Sequence, residues 1–310
     1  LEINMAKEFK TIGELVLLLE SRGVKTDEDT PVILKRESYY AIVNGYKDPF
    51  LDREAMQASP SDVYKAGTTF GQLYDLYCFD RDMRGALLPY LMEAESCLKN
   101  AVEYAFCERN REPDAYLNRA NYTSAKDMLL PRGFMGDKRE EHSKRLNGLM
   151  AKLNGKLALS NNTRPYVRHY LETYGNVPLW VLQNDLTFGN IQHFYQLQKR
   201  GVQNATCRIV EEQGGQRLAA RELLNVFTVL VGFRNICAHG DRLYCADIKG
   251  WKADEMLRDL EIVLPKDRHE KVTEALISIG VKYIGKVEPS WLNSMYTDPS
   301  QIPTEFRQDT

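Results

Sequence analysis

"RELLNVFTVLVGFRNICAHG" (Arg221–Gly240) decides the fold. The stretch is apolar nearly all round, so the helix it forms is buried rather than laid along a surface. At about 100° per residue, Asn225, Thr228, Gly232, Asn235 and His239 fall within a sector roughly 80° wide. They form a narrow stripe of polar and small residues down an otherwise apolar helix. A glycine inside a helix costs about 1 kcal/mol against alanine. Gly232 is therefore expected to admit another backbone at close range. Gly240 suits the left-handed residue that closes a helix.

The end of that helix, "FRNICAHGDRLY" (Phe233–Tyr244), has two readings. One is structural: cations and a glycine at the negative pole of a helix. The other is chemical: Arg234 and His239 placed to act on RNA, with Asn235 between them. A protonated imidazole at a helix C-terminus can serve as a general acid beside a phosphate. Asn235 and His239 share a face, whereas Arg234 and His239 lie roughly 140° apart on a straight helix. Arg234 must therefore curl round the helix end, or work with a residue from another helix or subunit. The spacing alone says little, because Arg164 and His169 repeat it by coincidence.

Working outward, the chain is mainly α. "KTIGELVLLLESRGVK" predicts a short amphipathic helix stopped at Gly23, and residues 51–68 read as a turn-rich connection. From Thr69 helical periodicity runs through Phe70–Arg109 with Pro89 inside it. Further helices are expected over Glu140–Leu157, in "NTRPYVRHYLETYG" and "TFGNIQHFYQLQKR", over roughly 217–239, and near 267–283. The Pro- and Ser-rich tail is expected to dock, if at all, through Trp291. The start "LEINMAKEFK" reads as extra residues ahead of a native Met5, which leaves Leu1–Asn4 outside the fold. The division that follows is an N-terminal helical segment over 5–68, a helical domain over 69–260, and a C-terminal helix and tail over 261–310.

On the long helix, Arg84 and Glu95 are about three turns apart and share a face with Leu88, Leu91 and Leu98. A carboxylate on an apolar stripe needs a partner. Glu95 either locks helices together through an arginine or holds Arg234 or His239 in place. Asp80 and Arg81 read as a helix cap and a solvated charge.

Composition narrows the function. The net charge is −2, so any nucleic-acid contact must come from a local patch. The basic stretch around "DKREEHSKRLNGLMAKLNGK" offers Arg132, Lys138, Arg139, Lys144, Arg145, Lys152 and Lys156, either as a solvated helix face or as an RNA contact. Tyr166 and Tyr170 could stack on bases or pack in the core. The six cysteines form no C-x-x-C pair, which points to reduced thiols in a cytoplasmic protein rather than disulfides or zinc. No metal-ligand spacing, phosphate loop or membrane span stands out.

Arg234-Asn235 with His239 resembles the Arg-polar-x3-His signature of HEPN ribonucleases. "SYYAIVNGYKDPF" (Ser38–Phe50), "FGQLYDLYCFDRDMRGALLPYLMEAESCLKNAVE", "VRHYLETYGNVPLWVLQNDLTFGNIQHFYQL" and "FRNICAHGDRLY" resemble, in order, the Abi-like abortive infection family of bacterial phage-defence proteins, a HEPN branch. Together the segments span about residues 10–260. The chain departs from the family at Gly240-Asp241, where a second histidine or a polar residue often precedes "RL", and at Gln183-Asn184-Asp185 before "LTFG".

The resemblance implies a HEPN-like helical bundle with a small N-terminal extension and a C-terminal helical tail. It also implies a homodimer bringing two Arg-x4-His motifs into one cleft, and metal-independent RNA cleavage without a cofactor. His239 would be the general acid/base, Arg234 the stabiliser of phosphate charge, and Asn235 the orienting group, with Glu95 and Arg84 in support. RNA would contact Lys138, Arg139, Lys144, Arg145 and Arg242. A small structured RNA is a further expected partner, as cofactor or antitoxin. The alternative is a non-catalytic RNA-binding or regulatory protein on the same fold.

Overall fold

In the computed structural model, residues 8–59, 61–159 and 163–297 are described. The expectation for Leu1–Asn4 lies outside them, as does the tail from residue 298. The protein is mainly α-helical, and among the described residues no strand forms, only isolated bridges such as Lys25 with Thr69 and Leu51 with Tyr64. The fold divides into two compact units. The first takes in the described residues up to Gly85, Arg242–Cys245, and those from Ala275 onward; the second takes in Ala86–Asp241 and Ala246–Glu274.

In the first unit, α1 (Ile12–Ser21) opens on a reciprocal capping box between Thr11 and Glu14. It stops ahead of Gly23, whose φ is +91°, as the sequence predicted. α2 (Thr30–Glu37) starts with proline in its first turn and ends at Ser38. A π-helical turn over Tyr40–Asn44 and a 3-10 turn over Asp48–Phe50 carry the chain to the turn-rich connection. α3 (Phe70–Arg109) then begins on a second reciprocal cap: the Thr69 hydroxyl accepts from the Gln72 N–H at 3.2 Å, and Gln72 accepts from the Thr69 N–H at 2.9 Å. The helix continues through Pro89. Trp291 is buried, with its ring 4.6 Å from that of Phe50.

Asp80 corrects the sequence reading. It caps nothing at the start of α3, because that helix begins at Phe70. Asp80 is wholly buried in the helix interior. Its carboxylate accepts from the backbone N–H of Leu243 at 3.1 Å and of Tyr244 at 2.6 Å, from the Tyr46 hydroxyl at 2.6 Å, and from Arg84. Burial pushes the Asp80 pKa up, and these donors oppose that by favouring the charged form. Tyr46 also stacks on Tyr244, with centroids 5.1 Å apart. The segment Leu243–Tyr244 is thus tied down by one buried charge. Arg81 pairs with Glu37 at 3.2 Å and lies over the Tyr77 ring.

The second unit is built around α9 (Ala220–His239), which packs against α7 (Phe188–Gln196), α8 (Arg200–Gly214) and α10 (Ala253–Val263). α4 (Lys138–Leu157) starts on the Asp137 cap and packs on α7. α5 (Pro165–Tyr174) closes at left-handed Gly175, and a single turn, α6 (Leu179–Leu182), follows. Phe188, Phe194, Tyr195, Phe227 and Phe233 are fully buried. α11 (Lys266–Tyr283) begins in this unit.

Two of the longer helices were absent from the sequence reading. α8 buries Gln203 and Thr206 as well as Val202 and Val210, so its apolar stripe is interrupted. It also comes unusually close to α10: a Cβ on Gly214 would lie 1.9 Å from the Ile262 carbonyl oxygen. α10 buries Asp254 and Asp259 among Met256, Leu260 and Val263, which masks an apolar repeat that is present.

Because Asp80 gathers donors from three segments, removing its carboxylate takes a buried acceptor away from Arg84 and from two N–H groups. Asp80→Ala is expected to cost about 3–5 kcal/mol, and Tyr46→Phe about 1 kcal/mol. Urea unfolding measures both; a loss below that of Tyr46→Phe in Asp80→Ala would contradict the assignment.

Candidate active site

α9 opens with Glu222 accepting from the Ala219 N–H at 2.7 Å, and closes at Gly240 in the left-handed conformation, φ +76°. Its burial makes any polar group along it costly unless a partner answers it. Thr228 donates to the Leu224 carbonyl and accepts from Gln192 at 2.8 Å. Asn225 keeps a buried Oδ1 with no hydrogen-bond partner among the described residues. Gly232 admits a side chain rather than the expected backbone: a Cβ there would lie 2.8 Å from Ile248 Cδ1.

Arg234 leaves the polar stripe, as the helical angles required, and meets Glu95. Its Nε lies 3.0 Å from Glu95 Oε2, with both side chains largely buried. The approach is charge to charge rather than a well-aligned hydrogen bond, since Arg234 Nε lacks a hydrogen-bond acceptor. Glu95 Oε1 pairs with Lys99 at 2.8 Å, and Lys99 donates to the Leu186 carbonyl at 2.7 Å. The guanidinium carbon of Arg234 sits 5.8 Å from the centre of the Phe188 ring. One carboxylate therefore serves two cations on the apolar face of α3.

Asn235 is half-buried, and His239 is exposed at the end of α9. No hydrogen bond joins Arg234 to His239 among the described residues. Arg84 belongs to the Asp80 cluster of the first unit rather than to Glu95. The resembling spacing at Arg164 and His169 goes elsewhere: Arg164 pairs with Asp185 at 3.3 Å, and His169 lies against Thr173. Asp185 also pairs with Lys156 at 3.1 Å.

The basic residues singled out as RNA contacts separate. Lys138 donates to the Lys126 carbonyl at 2.6 Å, Arg139 is exposed, and Arg242 donates to the Gly45 carbonyl at 3.0 Å in the first unit. Lys144 and Arg145 line a cavity of about 260 Å³ with Glu141, Lys152, Asn190 and His193. Tyr166 and Tyr170 are half-buried, and Tyr170 packs beside the exposed Tyr174 at 5.3 Å.

His193 was missed in the sequence because only the fold brings it to α4. Arg145 pairs with Glu141, and its Nη1 lies 2.6 Å from His193 Nδ1. Burial, then Arg145 and Lys152, lower the His193 pKa from 6.5 to about 4, against opposing contributions from Gln196 and Glu141. The ring is neutral, so Nδ1 accepts from Arg145.

A double-mutant cycle of Arg234→Ala and Glu95→Ala should give a coupling of about 1–2 kcal/mol. The exposed pair Arg53–Asp48 should give less than about 0.5 kcal/mol; equal couplings would deny Glu95 a special hold on Arg234. The His193 effect has a definite sign. Below pH 6.5 the unfolded imidazole takes up a proton that the folded one resists down to about 4. Its contribution is full above pH 6.5 and shrinks as pH falls toward 4, by roughly 3 kcal/mol in all. His193→Gln should remove that slope in a comparison of denaturation midpoints across pH.

No curated protein and no solved structure matches the chain. A family model described as "Abi-like protein" matches residues 32–245, which runs from within α2 past the end of α9 and includes the Glu95–Arg234 pair and His239. The chain belongs to the Abi-like protein family, and the match points to abortive-infection phage defence.

Proposed function

We propose that the protein is a metal-independent endoribonuclease of an abortive-infection system, acting as a homodimer. The observation that carries this reading is the division of labour at the end of α9. Glu95 and Phe188 fix Arg234 on one side of the helix, while His239 stands exposed on another. A fixed guanidinium and an accessible imidazole suit phosphoryl chemistry. They do not converge within one chain, so a second copy would complete the site.

In the proposed reaction the RNA 2′-oxygen forms a bond to the adjacent phosphorus as the bond to the 5′-oxygen breaks. The His239 imidazole of one copy takes the 2′-OH proton, and the imidazolium of His239 in the second copy gives its proton to the leaving 5′-oxygen. The products are a 2′,3′-cyclic phosphate and a 5′-OH. His239 is the acid/base, Arg234 stabilises charge on the phosphorane, Asn235 orients the imidazole or the phosphate, and Glu95 positions Arg234.

The second reading is a non-catalytic RNA-binding or regulatory protein, associated with a small structured RNA. It is favoured by the neutralisation of Arg234 within a packed network of Glu95, Lys99 and Phe188. RNA cleavage in the presence of EDTA separates the two. The nuclease reading expects wild-type cleavage, with Arg234→Ala and His239→Ala each lowering the rate by about 10²–10⁴-fold. Undiminished cleavage by both variants would overturn it. Copurification of a discrete RNA without turnover would support the second reading.

A further inference from the structure

The cavity beside His193 has a neighbour. A second cavity of about 570 Å³ is lined by Arg132, Phe134, Met135, Arg145 and Lys249, so Arg145 belongs to both. Five cations line the pair, namely Arg132, Lys144, Arg145, Lys152 and Lys249, against one carboxylate, Glu141. Glu141 is already engaged by Arg145. In a chain whose net charge is −2, such segregation is local and strong.

The lining is built rather than merely basic. Asn190 is buried, and its Oδ1 accepts from Lys152 at 3.0 Å, which orients that ammonium at the rim. Arg145 is braced between Glu141 and His193, and the neutral state of His193 is what lets it accept that bond. Lys249 adopts φ +57° without being glycine, at the tip of a turn closed by the Gly250 N–H donating to Asp247. A left-handed non-glycine residue carries a backbone cost, and here it sets an ammonium at the cavity edge. Met135 beside it is almost fully exposed, and Phe134 is half-exposed.

We propose that these two cavities form one binding groove for single-stranded RNA, with phosphates on Lys144, Arg145, Lys152 and Lys249 and a base against Phe134 and Met135. The choice of RNA rests on the ribonuclease reading; the groove itself rests on its charge and shape. A single strand is selected because the apolar side chains have a use only where bases are unpaired. The groove lies on α4, α7 and the loops at 131–135 and 249–250, and none of the residues proposed for catalysis on α9 lines it. It therefore holds the substrate rather than cutting it.

The test is fluorescence-anisotropy binding of an unstructured RNA oligonucleotide to the full chain carrying His239→Ala, which removes turnover. A triple variant, Lys144→Gln, Lys152→Gln and Lys249→Asn, keeps an asparagine at the left-handed position. It should weaken binding about tenfold or more and reduce the slope of log K against log salt by about 2. A control triple, Lys35→Gln, Lys266→Gln and Lys271→Gln, changes net charge equally and should leave affinity unchanged. Equal losses in both triples, no loss in the groove triple, or equally tight binding of duplex RNA would each overturn the proposal. Groove-dependent binding with no cleavage by the wild type would keep the groove and remove the nuclease reading. Cleavage by the wild type with the groove triple binding normally would do the reverse.

Discussion

A helix that is apolar on almost every face has to be surrounded, and a polar group it carries is costly unless a neighbour answers it. α9 imposes that demand on the second unit. Thr228 is met by Gln192 from α7, and Arg234 by Glu95 from α3 and by the ring of Phe188. Gly232 gives room to Ile248 from the loop ahead of α10. The placement of α3, α7 and that loop around α9 follows from these obligations as much as from apolar burial.

The same rule organises the first unit through a charge of opposite sign. Asp80 is wholly buried, and Arg84, Tyr46 and two backbone N–H groups converge on it. Its acceptors bind the short segment Leu243–Tyr244, which has no helix or sheet of its own to satisfy those N–H groups. In each unit a single carboxylate on α3 does the work of joining distant parts of the chain. α3 thus carries two separate anchors, Asp80 with Arg84 and Glu95 with Arg234, where helical spacing had placed Arg84 and Glu95 on one face.

The functional readings draw on different properties of these elements. Catalysis, as proposed, needs Arg234 rigid and His239 accessible, and α9 supplies rigidity along its buried length and access at its capped end. Substrate holding, as proposed, needs clustered positive charge on a chain that is slightly acidic overall. That cluster depends on Arg145 being braced by a carboxylate and a neutral imidazole, both partly shielded from water.

The sequence by itself determined the class of fold and most of its punctuation. Periodicity located α1, α3, α4, α5, α7, α9 and α11, and glycines at 23 and 240 marked helix ends, because a left-handed residue is cheap only there. The angular spacing of Arg234 and His239 was legible too, since it needs nothing beyond helix geometry. α8 and α10 were hidden because buried Gln203, Thr206, Asp254 and Asp259 look like surface residues until their surroundings are known. Only the tertiary structure decided that Glu95 answers Arg234, and that His193 and Arg145 share a cavity. Those pairings join residues far apart in the chain, and helical spacing carries no information about partners across such distances.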